Sequence, residues 1–395
     1  MPDPDRGHAV EDYARRLAGG LGVPDFVYEP ELDQRGRGVR EISDGLLVAG
    51  QDGVILQVKS RNEDAAKTDT AEKAAAWCQK VGRKAQSQAR GRKRTLLRGS
   101  VQVRSLRGFE RILPDATDWP LVVIIHHPGA PAVRFSPASD TLFMSLSDWL
   151  NLHRMIRSTA GVIAYVQRAL ASGISVGLGN EADRYKQLAA ADLDACGTLS
   201  AFPTLPPVGL DEKDELYAAL VDELIEKLAD STNAGFHPDH YLRIVEQLDR
   251  IPLIGRIRLG AKMTRTLSAM HEAKDQRSFM ALSSDDPLVG DRLGIIYDYF
   301  DVAAHGPGGE RFAMDVDCYA FLRQQQALET GAALDSATLA IGVLHHPQLG
   351  RRYKYAWVQG LPPPMPAAVR AYWEDQYGTA RVSWTHRPSC PALSG

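Results

Sequence analysis

Cysteine is scarce in this chain: four residues in 395, at Cys78, Cys196, Cys318 and Cys390. They stand far apart and form no C-x-x-C pair, which argues against a zinc ribbon or a disulfide framework and suits a reducing cytoplasm. Long apolar runs are missing too. None approaches the ~20 residues that a transmembrane helix needs, so no membrane partner is expected. The opening MPDPDRGHAVEDY is charged and has no apolar centre, so no signal peptide is expected. There is no excess of basic charge either. The net charge is −3, which excludes a basic coat for nucleic acid. The second half holds no P-loop, no G-x-G-x-x-G and no helix-turn-helix pattern. What is present is ordinary for a globular protein: 44% hydrophobic and 24% charged residues, over a length that favours two domains.

The most informative stretch is EISDGLLVAGQDGVILQVKSR, Glu41 to Arg61. Its two apolar arms, Ile42–Val48 and Val54–Lys59, flank the turn 49–53 and predict a β-hairpin. Three polar residues interrupt the apolar pattern. Asp44 opens the first arm. Gln57 and Lys59 are two apart on the second, so their side chains share a face. An acid, an amide oxygen and an ammonium therefore converge at one end of the hairpin. Hard divalent cations take oxygen ligands, and Mg²⁺ usually takes only one or two from protein. A lysine beside such an ion can stabilise developing negative charge or position water.

Asp44 followed by Gln57-Val58-Lys59 resembles the motif of the PD-(D/E)XK nuclease superfamily, in the Q-x-K form seen in Mrr-type restriction endonucleases. Ser43 stands where the motif has proline, and Gln57 stands where it usually has a carboxylate, which implies weaker metal affinity. The resemblance implies a restriction-endonuclease-like α/β fold with a mixed sheet, Mg²⁺ or Mn²⁺ as cofactor, DNA as substrate and a cytoplasmic restriction or phage-defence role. Asp44, Gln57, Lys59 and Glu11 are then the catalytic set, and Asp44, Gln57 and Glu11 the metal ligands. Glu11 lies on the helix expected over 7–22. Its other reading is a solvated first-turn glutamate favoured by the helix dipole.

A short strand is expected over 23–30 and a helix over 64–90. Lys73 to Phe109 contains no acidic residue and eleven basic ones. A solvated face is the common explanation of a charge run. Beside a metal site, such a run suits phosphate binding, with Arg83, Lys84, Gln88, Arg90, Arg92, Lys93 and Arg94 as the candidate nucleic-acid contacts. Within the resemblance, Lys84 and Gln88 share a helical face and fit a supporting role, with Gln86 a rival. Strands are expected over 101–106, 121–126 and 142–146, then a helix over 147–172. His126-His127-Pro128 and His345-His346-Pro347 each follow an apolar run. Adjacent strand residues point to opposite faces, so each pair reads as a strand end stopped by proline.

The Pro- and Gly-rich stretch 196–210 is the expected linker between a nuclease-like domain, 1–195, and a second α/β domain, 211–395, with strands over 279–282, 293–299, 338–344 and 353–358. That domain would serve regulation, partner choice or substrate recognition. A homo-oligomer or a defence-system partner is expected. Two other readings stand beside the nuclease. One is a catalytically inactive nuclease-like fold that binds nucleic acid or protein. In the other, Asp44 merely caps the hairpin and Lys59 snorkels from an edge.

Overall fold

The computed structural model describes residues 4–29, 32–33, 40–41, 44–98, 101–113, 119–196, 205, 210–231, 238–272, 292–299, 310–329, 331, 337–346 and 350–378. Helix α1 runs Pro4–Leu21 and buries Ala14, Leu17 and Ala18. The strand expected over 23–30 is shorter. Pro24–Phe26 make a single 3-10 turn, because Pro24 fixes φ and offers no N–H to a ladder, and β1 is only Val27–Glu29. Leu32–Asp33 (β2) pairs with Arg40–Glu41 (β3) in a separate ribbon.

The hairpin is β4 (Gly45–Ala49) and β5 (Asp52–Ser60), antiparallel, with Val48 opposite Gly53 and Ala49 opposite Asp52. Its turn is Gly50-Gln51, tighter than the expected 49–53, and Gly50 takes φ 61°. Gly53 belongs to the strand, where a Cβ would come within 2.3 Å of Trp119. Ile42 and Ser43 of the expected first arm lie outside the described residues.

The helix expected over 64–90 is two helices, α2 (Glu63–Lys67) and α3 (Ala71–Leu96). The Asn62 side chain accepts from Asp64 N at 2.9 Å and Thr70 Oγ1 from Lys73 N at 3.3 Å. These caps start two helices where the alanine-rich composition alone favours one. Helix α3 also continues through Gly91, so Arg92, Lys93 and Arg94 lie in its last turns.

Strands β6 (Gln102–Ser105), β7 (Glu110–Ile112), β8 (Leu121–His126) and β9 (Thr141–Ser145) complete a seven-stranded sheet in the order β7-β6-β1-β4-β5-β8-β9. It is mixed: β5, β8 and β9 run parallel, and the remaining neighbours antiparallel. The run Leu121–Ile125 is fully buried, as its continuous apolar pattern predicts. Val123 and Ile125 pack on Cys78 and Ala85 of α3. The helix expected over 147–172 breaks at Arg157, in the left-handed region at φ 53°, into α4 (Leu146–Ile156) and α5 (Thr159–Ser172). Ser145 caps α4, in a capping box with Asp148. Helix α6 (Glu181–Cys196) follows.

The described residues fall into two units divided between 209 and 210. The second holds α7 (Glu212–Ser231), α8 (Pro238–Asp249), α9 (Leu253–Glu272), β10 (Arg292–Tyr299), α10 (Glu310–Glu329), β11 (Ala337–His346), β12 (Gly350–Gln359) and α11 (Ala367–Gly378). Strand β11 lies between β10, parallel to it, and β12, antiparallel. Val316, Tyr319 and Ala320 of α10 pack on Ala340, Ala356 and Val358. The strand expected over 279–282 lies outside the described residues. Among the described residues, no helix is long and apolar enough to cross a membrane. The chain is α/β, with a seven-stranded mixed sheet flanked by helices.

Candidate active site

Antiparallel register places the residue before β4 beside the end of β5. Gly45 is opposite Leu56, and Asp44 N continues the ladder by donating to Leu56 O at 3.3 Å. Asp44 thereby faces Gln57, and both are buried. Oδ2 of Asp44 accepts from Val58 N at 2.7 Å and from the Gln57 Nε2 amide. That second bond leaves Gln57 Oε1 as an acceptor, and the acceptor is met: Arg92 Nη1 lies 2.5 Å from Gln57 Oε1 and 2.9 Å from Asp44 Oδ1. Two oxygens, one from the residue before β4 and one from β5, thus converge on one nitrogen. Lys59, on the same strand face as Gln57, holds its Nζ 3.8 Å from Asp44 Oδ2.

Helix α1 closes the other side. Arg15 Nη1 donates to the Asp44 carbonyl at 2.5 Å, and Gly45 lets the arginine lie close, since a Cβ there would meet Arg15 Cγ at 3.1 Å. Glu11 is one helical turn before Arg15, and residues four apart on a helix are surface neighbours about 5–6 Å apart between Cβ atoms. Glu11 therefore sits on the flank of α1 that carries Arg15 to Asp44.

The candidate nucleic-acid contacts divide among four settings. Arg92 points into the polar cluster with its side chain 22% exposed. Arg90 is committed to Asp140 through bonds of 2.8 and 2.7 Å, and these bonds hold the Asp140 carboxyl below its ordinary value. Arg83, Lys93 and Arg94 line a shallow groove of about 460 Å³ along α3, with Gln86, Ser87, Arg90 and Leu97. Lys84 and Gln88 are exposed on α3, at four-residue intervals from Arg92 and so on its side of the helix. Gln86 donates to Thr141 Oγ1 at 3.1 Å.

The first His-His pair diverges, as alternation along a strand requires. His127 is buried, with Nε2 3.3 Å from Asp69 Oδ2 and Nδ1 accepting from Gly129 N at 3.0 Å. Those partners make Nε2 the protonated nitrogen, and the ring anchors the loop after β8. His126 lines a cleft of about 340 Å³ with Tyr13, Ser145 and Ser147, and burial pushes its imidazole below the ordinary value. His345 and His346 end β11, and Pro347 lies outside the described residues.

Sequence reasoning placed Arg92 with the phosphate contacts and did not single out Arg15. The usable signal for Arg92 was its spacing: it is four residues beyond Gln88 on the same helical face. A helix expected to stop at 90 hid it. As a cation site, Asp44 Oδ1 and Gln57 Oε1 are the right donor type, hard oxygens, with only one formal negative charge between them. Among the described residues, no three His, Cys, Asp or Glu side chains gather as a metal cluster. A divalent ion here would take the remainder of its shell from water or phosphate oxygens. The chain matches no protein family, no curated protein and no solved structure.

Proposed function

We propose that the chain is a metal-dependent deoxyribonuclease of PD-(D/E)XK type, hydrolysing DNA phosphodiesters, with Mg²⁺ or Mn²⁺ as cofactor. One observation carries the reading: Asp44 Oδ1 and Gln57 Oε1 meet on a single point at the hairpin end, with Lys59 Nζ 3.8 Å from the same carboxylate. The arrangement around that point adds support. The hairpin is followed by α3 and by a strand parallel to β5, within a mixed sheet. A restriction-endonuclease-like domain, 1–195, with a second α/β domain over 211–395, is the finer architecture proposed.

A bound divalent ion would supply Lewis acidity toward the phosphate and lower the pKa of a water. Asp44 and Gln57 would hold that ion, with Glu11 on α1 as the candidate third oxygen donor. Lys59 orients the attacking water or offsets the charge that builds on the phosphoryl oxygens. The water oxygen bonds to phosphorus, the bond to the leaving sugar oxygen breaks, and a proton passes from the water through solvent to that oxygen. Val58 N and the Gln57 amide fix the Asp44 carboxylate, so it needs no reorganisation. Arg83, Lys84 and Arg94 provide phosphate contacts along α3. A cytoplasmic restriction or phage-defence role, with the second domain choosing partner or trigger and two copies pairing for double-strand cuts, is proposed by analogy.

A catalytically silent nuclease-like binding module is the second reading, favoured by the ion pairs that Asp44 already makes with Arg92 and Lys59. The deciding experiment incubates plasmid and linear DNA with the protein in Mg²⁺, Mn²⁺ or EDTA, beside Lys59→Ala. The nuclease reading expects cleavage that needs the metal and is lost in Lys59→Ala. DNA binding without cleavage under every condition selects the binding module.

A further inference from the structure

Charge at the hairpin end is out of balance. One carboxylate, Asp44, 3% exposed, faces two cations: Arg92 Nη1 at 2.9 Å and Lys59 Nζ at 3.8 Å. Among the described residues, the Asp44 carboxylate thus answers two cations with one charge. Such a site attracts phosphate and opposes a second cation. Yet the two oxygens best placed to hold a divalent ion, Asp44 Oδ1 and Gln57 Oε1, are those bridged by Arg92 Nη1. Ion and guanidinium cannot both occupy that point. Arginine is suited to an exchange, because its fork matches carboxylate and phosphate alike. Arg92 also has room to leave. Its side chain is 22% exposed, in the last turns of α3, and Lys84 and Gln88 continue its side of the helix outward as exposed residues.

Resting on the nuclease reading above, we infer that Arg92 is a displaceable internal cation that couples divalent-ion binding to DNA phosphate binding. With no phosphate at hand, Arg92 holds the Asp44 and Gln57 oxygens and weakens the ion's hold on them. A DNA phosphate gives the guanidinium a new partner, and the oxygens become available to the ion. Thermodynamic linkage makes the effect reciprocal, so the ion also tightens DNA binding by the same factor. The site would then load metal and substrate together and keep the ion-pair form otherwise.

Calorimetric titration of the full chain with Ca²⁺, which supports binding without turnover, tests this. It is run with and without a saturating short duplex, on wild type, Arg92→Gln, Arg92→Lys and Asp44→Asn. The duplex is expected to tighten Ca²⁺ binding to wild type by about tenfold. Arg92→Gln should bind Ca²⁺ alone about tenfold more tightly than wild type, with the duplex then adding little. Equal Ca²⁺ affinity and equal coupling in wild type and Arg92→Gln overturn the exchange while leaving the metal site intact. Wild type that binds no Ca²⁺, or binds it unchanged after Asp44→Asn, overturns the metal-site reading and this inference with it. Should Arg92→Gln fail to fold, Arg92→Lys decides. Lysine lacks the planar fork that pairs bidentately with a phosphate, so it gains less from the duplex; coupling smaller than wild type supports the exchange, and undiminished coupling overturns it.

Discussion

Glu181 and Asp44 are both buried carboxylates with an arginine partner, yet their surroundings differ in kind. Glu181 Oε1 and Oε2 accept from Arg184 Nη1 at 2.7 and 2.8 Å, and Oε1 also accepts from Tyr165 Oη at 2.6 Å. Burial, then the Glu181 charge, push the Tyr165 phenol up, so the tyrosine stays a donor. Arg184 spends its Nε on Ile174 O at 3.0 Å and is 6% exposed. Next to it, Asp148 accepts from the backbone of Ser145, Gly179 and Glu181. Arg184 answers the Glu181 charge, backbone N–H groups answer Asp148, and the cluster ties α5, α6 and the loop between them together. Asp44, in contrast, meets cations that remain 22% and 28% exposed, and carries one charge against two. A brace is saturated and closed. The Asp44 cluster is open on one side, and that difference separates the two readings of a buried ion pair.

The closed side gives the largest effect. Arg184→Ala leaves the Glu181 charge buried without its partner, which costs about 3–5 kcal/mol, read as a lower urea midpoint. At the open side the order of effects reverses. Asp44→Asn and Lys59→Ala should each slow cleavage by at least about a hundredfold. Asp44→Asn should change stability by only about 1–2 kcal/mol, because Val58 N keeps an acceptor and the arginine and lysine can turn to water. If Asp44→Asn unfolds the chain as Arg184→Ala does, Asp44 is a brace as well.

A smaller effect concerns a buried group whose polar atoms find no hydrogen-bond partner among the described residues. His153 is fully buried against Trp149, neither ring nitrogen has a hydrogen-bond partner, and burial holds its pKa at about 3. The unfolded chain binds a proton at the ordinary histidine value near 6.5 while the folded chain does not. Stability is therefore full above about 6.5 and falls as the pH drops from there toward 3, by about 1.4 kcal/mol per pH unit. His153→Leu should flatten that slope relative to wild type, measured as urea midpoints between pH 7 and 5. Parallel curves for the two proteins would contradict it.

The smallest effect concerns the basic stretch. Arg83→Ala, Lys84→Ala and Arg94→Ala together leave Arg92 in the site and Arg90 on Asp140. If the three face phosphates, the dependence of log K on log salt becomes shallower by about 0.7 to 0.9 for each phosphate no longer neutralised, equally on unrelated duplexes. An unchanged slope would return this face of α3 to solvent.

Much of this was legible in sequence where local pattern decides. The apolar arms of the hairpin and the run Leu121–Ile125 follow from continuous apolar pattern, and the shared face of Gln57 and Lys59 from alternation. The helix breaks were not, because Asn62, Thr70 and Ser158 act through one or two capping bonds that composition does not register. Gly53 looked like turn punctuation, but its reason is Trp119, 66 positions on in the chain. Arg92 was hidden for a related cause. Its meaning depends on Asp44 and Gln57, 48 and 35 residues away, and no window around it contains them.

The nuclease reading and the arginine exchange both turn on the point where the Asp44 and Gln57 oxygens meet. A crystal of the protein with a short duplex, soaked in Mn²⁺ as a surrogate for Mg²⁺, reads that point directly through anomalous scattering. Together they predict a peak at about 2.1 Å from both Asp44 Oδ1 and Gln57 Oε1, with Arg92 turned from them to a phosphate. Arg92 still bridging the two oxygens at saturating Mn²⁺, with no peak between them, would contradict both.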